Sequence, residues 1–246
     1  MSPPIRIAMW SGPRNISTAM MRSFGARPDT AVIDEPFYAA YLAATGLEHP
    51  MRDEVLASQP RECSEVISQV LGRVPDDKPI WYQKHMAHHM LPGFGREWLA
   101  NVRNAFLIRD PAAVLASYVQ KRQTVELADI GIVQQRELFE REAQRLGTMP
   151  PVVASTDVLT NPAHVLTKLC VALGIPFTDA MLSWPAGRRD SDGVWAPAWY
   201  TAVEQSTCFA APSASAKPES RLPDNLRRIA DEARPHYEVL RAHCLR

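Results

Sequence analysis

The chain has 246 residues, 27 Lys or Arg against 27 Asp or Glu, and four cysteines. This length fits one large α/β domain, and the charge balance excludes a global field that would draw the protein onto nucleic acid or an anionic membrane, so any anion site has to be local. Cys63, Cys170, Cys208 and Cys244 are scattered without paired spacing, which reads as reduced thiols rather than a disulfide frame or a zinc site. With no signal-peptide pattern and no run of about 18 apolar residues, the cytoplasm is the expected compartment.

The run IRIAMW over 5–10, stopped by Ser11-Gly12-Pro13, predicts a buried strand. A helix is expected over 16–26, a strand over 30–36 ending at Pro36, and helices over 37–45 and 62–71 ended by Gly46 and Gly72. Strands follow over 79–86 and 102–111, then helices over 112–122 and 132–146. A fifth strand over 150–156 precedes a helix over 162–173 that Gly174 ends. Alternation of this kind predicts an α/β fold with a parallel β-sheet of about five strands flanked by helices on both faces. Residues 184–221, rich in tryptophan and charge and then in small polar residues, read as an irregular covering segment, and 223–243 as a closing amphipathic helix. The whole, 1–246, reads as a single domain.

In a parallel sheet, ligands sit at the carboxyl ends of the strands. Four of these strands end in polar groups: Ser11–Thr18, Glu35, Lys84-His85 and Arg109-Asp110. The segment MWSGPRNISTAM, 9–20, leaves a strand, turns through Gly-Pro and starts a helix with a cation and two hydroxyls. A loop feeding a helix N-terminus offers free amides and the positive end of the helix dipole. Arg14 can add a bidentate contact to an anion, and Ser17 and Thr18 can add hydroxyl donors. The plainer alternative is a strand-to-helix turn with Ser17 as its cap. The G-x-x-x-x-G-K-[ST] loop of nucleoside triphosphatases is not met, since Ser17 stands where its second glycine belongs and no lysine precedes the hydroxyls.

Chemistry at such a site needs a base. Glu35 in IDEPF stands at a strand's carboxyl end, either as that base or as a carboxylate paired with Arg14. Asp34 beside it is expected to point the other way by strand alternation. The alternative base lies in QKHMAHHM, at His85, with His88 and His89 as further possibilities. His85 and His89 have the i, i+4 spacing of helical metal ligands, but no third ligand is near and no metal is expected.

GPRNIST resembles the 5′-phosphosulfate loop of sulfotransferases that use 3′-phosphoadenosine 5′-phosphosulfate. In that family the loop runs P-[KR]-S-G-[TS]-[TS], and Pro13, Arg14, Asn15, Ile16, Ser17 and Thr18 map onto it, with Ile16 in place of the glycine. The resemblance implies that Arg14 contacts the leaving phosphate and the transferred group. It implies that Asn15, Ile16, Ser17 and Thr18 complete the donor loop. IRDPAAVLASY gives Arg109 and Ser117 at the spacing of the family's 3′-phosphate pair, and the segment 152–177 is similar to the family's stretch after its fifth strand. The likeness covers roughly residues 5 to 175. It implies a P-loop, nucleotide-kinase-like three-layer sandwich that carries a sulfuryl group to a hydroxyl or amine of a small-molecule acceptor. Glu35, Arg14, Lys84 and His85 are then the catalytic candidates. Ala19 and Ser155 stand where many members hold adenine with aromatic rings. The family's closing arginine and glycine loop has no recognisable counterpart, and Arg188, Arg189 or Lys217 are the candidates to replace it.

Overall fold

The computed structural model describes residues 3–119, 125–210 and 222–245. Five parallel strands form one sheet: β1 (Ile5–Ser11), β2 (Thr30–Asp34), β3 (Ile80–Met86), β4 (Arg103–Ile108) and β5 (Val152–Ala154), in the order β2-β3-β1-β4-β5. Along β1 the pleat sends successive side chains to opposite faces. Ile7 and Met9 enter one apolar cluster, and Ala8 and Trp10 enter the other. Both faces are covered by helices, so the strand is continuously apolar from Ile7 to Trp10 rather than alternating.

One face is covered by α1 (Ser17–Gly25) and the helix Pro162–Ala172, which bury Met20, Phe24, Leu166 and Leu169. The other lies under the helices Pro111–Tyr118 and Ile132–Leu146 and the closing helix Asp224–Arg241, which bury Leu115, Leu138, Phe139 and Leu240. The chain builds β2 and β3 on one side of β1 and then crosses to β4 and β5 on the other. That reversal opens a crevice at the carboxyl end of β1, the place where open α/β sheets bind ligands.

Several boundaries differ from the sequence reading. The fifth strand ends at Ala154, and Ser155 opens a short helix, Ser155–Thr160, where a strand to residue 156 was expected. The helix Arg52–Ser58 was not expected; only Val55 in it is buried, so it shows no apolar stripe to read. The helix expected over 112–122 begins at Pro111, capped by the Asp110 carboxylate, and its last three residues lie outside the described residues. So do the small polar stretch 211–220 and Lys217.

Between Trp184 and Ala210 the chain makes two single-turn helices, Ala196–Trp199 and Thr201–Glu204, and a bridge from Ser183 to Cys208. It is fastened to the body by an Arg22–Asp192 ion pair at 2.7 Å. Its tryptophans divide between two roles. Trp184 packs edge-on to Phe209 in the core, while Trp195 and Trp199 face the crevice.

Candidate active site

The loop after β1 is held by its backbone. A Cβ on Gly12 would lie 2.4 Å from the Ile130 carbonyl oxygen, so close approach of another backbone requires glycine here. Arg14 and Ile16 both have positive φ, 56° and 46°. For β-branched Ile16 that conformation costs about 1–3 kcal/mol. The loop keeps it because Asn15 Nδ2 donates to the Leu107 carbonyl at 2.6 Å. Gln135 Nε2 donates to the same carbonyl and to that of Trp10. No side chain caps α1, not even Ser17, so its first amides are left toward the crevice.

Two arginines meet at this helix end. Arg14 Nε donates to Ser117 Oγ at 3.1 Å, and the Arg109 guanidinium donates to the Arg14 carbonyl. Among the described residues neither guanidinium has a carboxylate within ion-pair distance. Burial pulls both below the usual guanidinium pKa, and for Arg109 the Arg14 charge adds to it. Two half-buried cations beside bare helix amides form a site with a deficit of negative charge.

The second half of the site is built at the β2–β3 edge. Glu35 has φ 41° and its N–H donates to the Lys84 carbonyl at 2.9 Å. This left-handed residue breaks the strand's alternation, and the expectation that Asp34 points away from Glu35 is corrected: both carboxylates converge on one ammonium. Lys84 Nζ, 1% exposed, donates to Asp34 Oδ1 at 2.9 Å, Glu35 Oε1 at 2.7 Å and the Tyr200 hydroxyl at 2.6 Å. Tyr200 donates in turn to Asp34 Oδ2 at 2.6 Å, and the same oxygen takes the Gly193 N–H at 3.1 Å. Trp195 Nε1 donates to Tyr200 at 3.1 Å, and Gln59 Nε2 donates to the Glu35 carbonyl at 3.1 Å.

Burial opposes charge on Lys84, but Asp34, Glu35 and Tyr200 outweigh it and hold the ammonium well above its usual pKa. Glu35 moves up from the ordinary carboxylate range, chiefly by burial and also by Asp34, against the pull of Lys84. Its ion partner is Lys84 and not Arg14, and Oε2 takes no hydrogen bond from the described residues.

A cavity of about 390 Å³ joins the two halves and is lined by Arg14, Ser17, Thr18, Glu35, Lys84 and Arg109. Asn15 and Ile16 border it too, though Asn15 spends its amide on the loop. Ser117 stands behind Arg14 rather than on the wall. His85 is corrected as a candidate base: it does not line the cavity. Its ring stacks on Trp10 at 4.5 Å, Nε2 faces Gln83 Oε1, and burial pushes its pKa down to about 3. The side chain after Lys84 on a strand must face the opposite layer. Arg188 and Arg189 do not reach the cavity either.

A family model for the sulfotransferase domain matches residues 5–244. The chain belongs to the sulfotransferase family. Two longer Arabidopsis thaliana proteins, named branched-chain-amino-acid aminotransferase-like protein 1 and protein 2, are 35% and 32% identical over 243 and 237 residues. Those alignments cover 99% and 96% of this chain but 43% and 41% of theirs, so the chain spans less than half the length of these relatives.

Among solved structures, the sulfotransferase domain from the curacin biosynthetic pathway superposes with a TM-score of 0.53 at 16% identity, covering 94% of this chain and 97% of that one. A sulfotransferase from Alicyclobacillus acidocaldarius gives 0.54 at 12%, covering 100% and 98%. A mouse sulfotransferase complexed with PAP gives 0.54 at 13%, covering 99% and 91%. At these identities the likeness is one of fold, and the sulfotransferase fold is the one observed. Among the described residues no helix is long and apolar enough to cross a membrane.

Tyr200 was not singled out from the sequence, and Asp34 was set aside there on strand alternation. Tyr200 lies in an irregular stretch without periodicity, and only its fold-back onto β2 gives it a partner 166 residues away. The signal for Asp34 was its neighbour: an acidic pair before proline at a strand end, where regular alternation need not persist.

Proposed function

We propose that this sulfotransferase moves a sulfuryl group from 3′-phosphoadenosine 5′-phosphosulfate to a hydroxyl or amine of a small-molecule acceptor. The observation that carries the proposal is the convergence of Arg14 and Arg109, without carboxylate partners among the described residues, on the uncapped end of α1. An anion with two separated phosphate groups fits that deficit. When bound, the donor supplies an activated sulfuryl group whose leaving group is a 5′-phosphate.

Arg14, Ser17, Thr18 and the loop amides hold the phosphosulfate end and neutralise the charge that passes to the departing phosphate oxygen. Arg109, with Ser117 bracing Arg14, holds the 3′-phosphate. Glu35 Oε2 takes the acceptor's proton as the acceptor oxygen bonds to sulfur and the bond from sulfur to the phosphate oxygen breaks. The raised pKa of Glu35 suits a base working near neutral pH. Lys84 and Asp34 fix the carboxylate's direction. A transferred sulfuryl carries less charge than a phosphoryl, so guanidiniums and amides are sufficient and no metal is invoked.

Calorimetric titration tests this reading. The wild-type protein is expected to bind 3′-phosphoadenosine 5′-phosphate more tightly than 5′-AMP or ADP, and Arg14→Ala to lose most of that affinity. Equal binding of the three nucleotides, or an unchanged Arg14→Ala, refutes it.

A further inference from the structure

Opposite the donor loop, the cavity is walled by Tyr38, His49, His88 and His89, with Trp195 and Trp199 from the covering segment. His89 sits at the centre of this wall. Its ring is stacked between Tyr38 at 4.7 Å and Tyr41 at 4.8 Å, with interplanar angles of 13° and 26°, and meets the edge of His88 at 4.4 Å. The side chain is 98% shielded, being 2% exposed, and neither ring nitrogen hydrogen-bonds a described residue. The ring's position is therefore set by stacking alone, and its hydrogen-bonding capacity is uncommitted. A buried polar group in that condition is costly unless something arrives to pair with it.

The charge around this wall limits what arrives. At its foot Lys84 is already shared by Asp34 and Glu35. The other ionisable groups facing His89 are His88, His49 and His85, and burial together with these neighbours and Lys84 keeps the ring neutral. Among the described residues that line the cavity, Lys84 is the cation of this wall, Arg14 and Arg109 belonging to the donor loop, so an anionic group here meets a cation already shared, and an imidazolium formed to meet it would stand against Lys84. A purely apolar group leaves His89 buried and unpaired. A hydroxyl, both donor and acceptor, matches a neutral imidazole, which is also both, while the flat faces of Trp195, Trp199 and Tyr38 suit the carbon frame that carries it. Among the described residues no cluster of His, Cys, Asp or Glu is arranged as a metal site, so the three imidazoles are not a ligand set for an ion.

We infer that the acceptor is a small uncharged diol or polyol, presenting one hydroxyl to Glu35 and a second to His89. This rests on the donor reading above, and it adds the class of acceptor and the residue that selects it. No new bond chemistry is involved: the hydroxyl at Glu35 reacts as described, and the one at His89 is only held.

The test uses three probes on one carbon frame with the donor supplied: 1,4-cyclohexanedimethanol, cyclohexanemethanol and 4-(hydroxymethyl)cyclohexanecarboxylate. The wild-type protein is expected to transfer sulfuryl to the diol with kcat/KM at least tenfold above the mono-alcohol and above the hydroxy acid. His89→Phe keeps the stack and removes both nitrogens. It is expected to erase the preference for the diol while affinity for 3′-phosphoadenosine 5′-phosphate stays within twofold. The inference is overturned if the mono-alcohol or the hydroxy acid equals the diol, if the preference survives in His89→Phe, or if none of the three reacts while the bisphosphate binds. Failure of the bisphosphate to bind overturns the donor reading, and this one with it.

Discussion

The two halves of the crevice treat their cations in opposite ways. At the β2–β3 edge, Lys84 is buried with two carboxylates and a phenol, and every lone pair aimed at it is engaged. At the end of β1, Arg14 and Arg109 are partly buried, and among the described residues their guanidiniums hydrogen-bond a serine hydroxyl and a carbonyl but no carboxylate. A buried ion with its partners in place holds structure and orients what it touches. A buried ion without them raises the free energy of the empty protein and is relieved only by an external anion. On the reading proposed above, the molecule thus separates the charges that shape the site from those that would bind a ligand.

That contrast can be broken experimentally, and the largest effect belongs to the carboxylate between the two halves. Glu35→Gln keeps the shape and removes the proton acceptor. Turnover is expected to fall about 10²- to 10⁴-fold with bisphosphate affinity nearly intact, as read from steady-state rates and calorimetry. Because burial raises the Glu35 pKa and the base works ionised, wild-type kcat is expected to decline as pH falls through a value above the ordinary glutamate range. That acidic limb is expected to vanish in the variant. Collapse of nucleotide binding would instead make Glu35 part of the donor site.

Next is stability. Lys84→Met strands two buried carboxylates and is expected to cost about 3–5 kcal/mol in a denaturant titration. Adding Asp34→Asn and Glu35→Gln is expected to recover much of that loss. If the single substitution is silent, the cluster is not the fastening it resembles.

Arg109→Ala is expected to do the reverse. It should leave stability within about 1 kcal/mol, because it removes a desolvated cation that has no carboxylate partner among the described residues. Affinity for the bisphosphate should fall by about 1.5–3 kcal/mol, roughly 10- to 150-fold, with little change for 5′-AMP. A protein destabilised as much as by Lys84→Met would erase the distinction between the two halves.

The smallest effect is expected at Ile16. Glycine there relieves a left-handed β-branched residue but gives up the packing of a half-buried side chain on the cluster around Met20. The two terms are of similar size, and the melting free energy is expected to move by less than about 1 kcal/mol.

The sheet was legible because its strands are covered on both faces. Residues 7–10, 80–82 and 105–108 are apolar runs bounded by Gly, Pro or polar residues, and burial on two sides makes such runs read as strands. The turns after β1 and β4 were legible for a related reason. Arg14, Ser17, Thr18 and Arg109 belong to single strand-to-helix turns, whose chemistry is local and whose spacing survives in a string of letters. The helices Arg52–Ser58 and Ser155–Thr160 were not, because each is too short to show a stripe and threonines near β5 read as strand.

By itself, then, the sequence determined the alternation of strands and helices, the loop that presents bare amides, and the placement of polar residues at strand ends. Only the tertiary structure decided which of them share a site. His85 follows Lys84 by one residue yet faces the opposite layer, and Asp34 joins Glu35 only because one residue with φ 41° breaks the pleat. Tyr200 reaches the cavity from a segment with no pattern to betray it, and His89, legible only as one histidine of QKHMAHHM, owes its place in the wall to its neighbours, since a hydrogen bond across 166 residues or a stack of three rings is a property of packing and leaves no period in the chain.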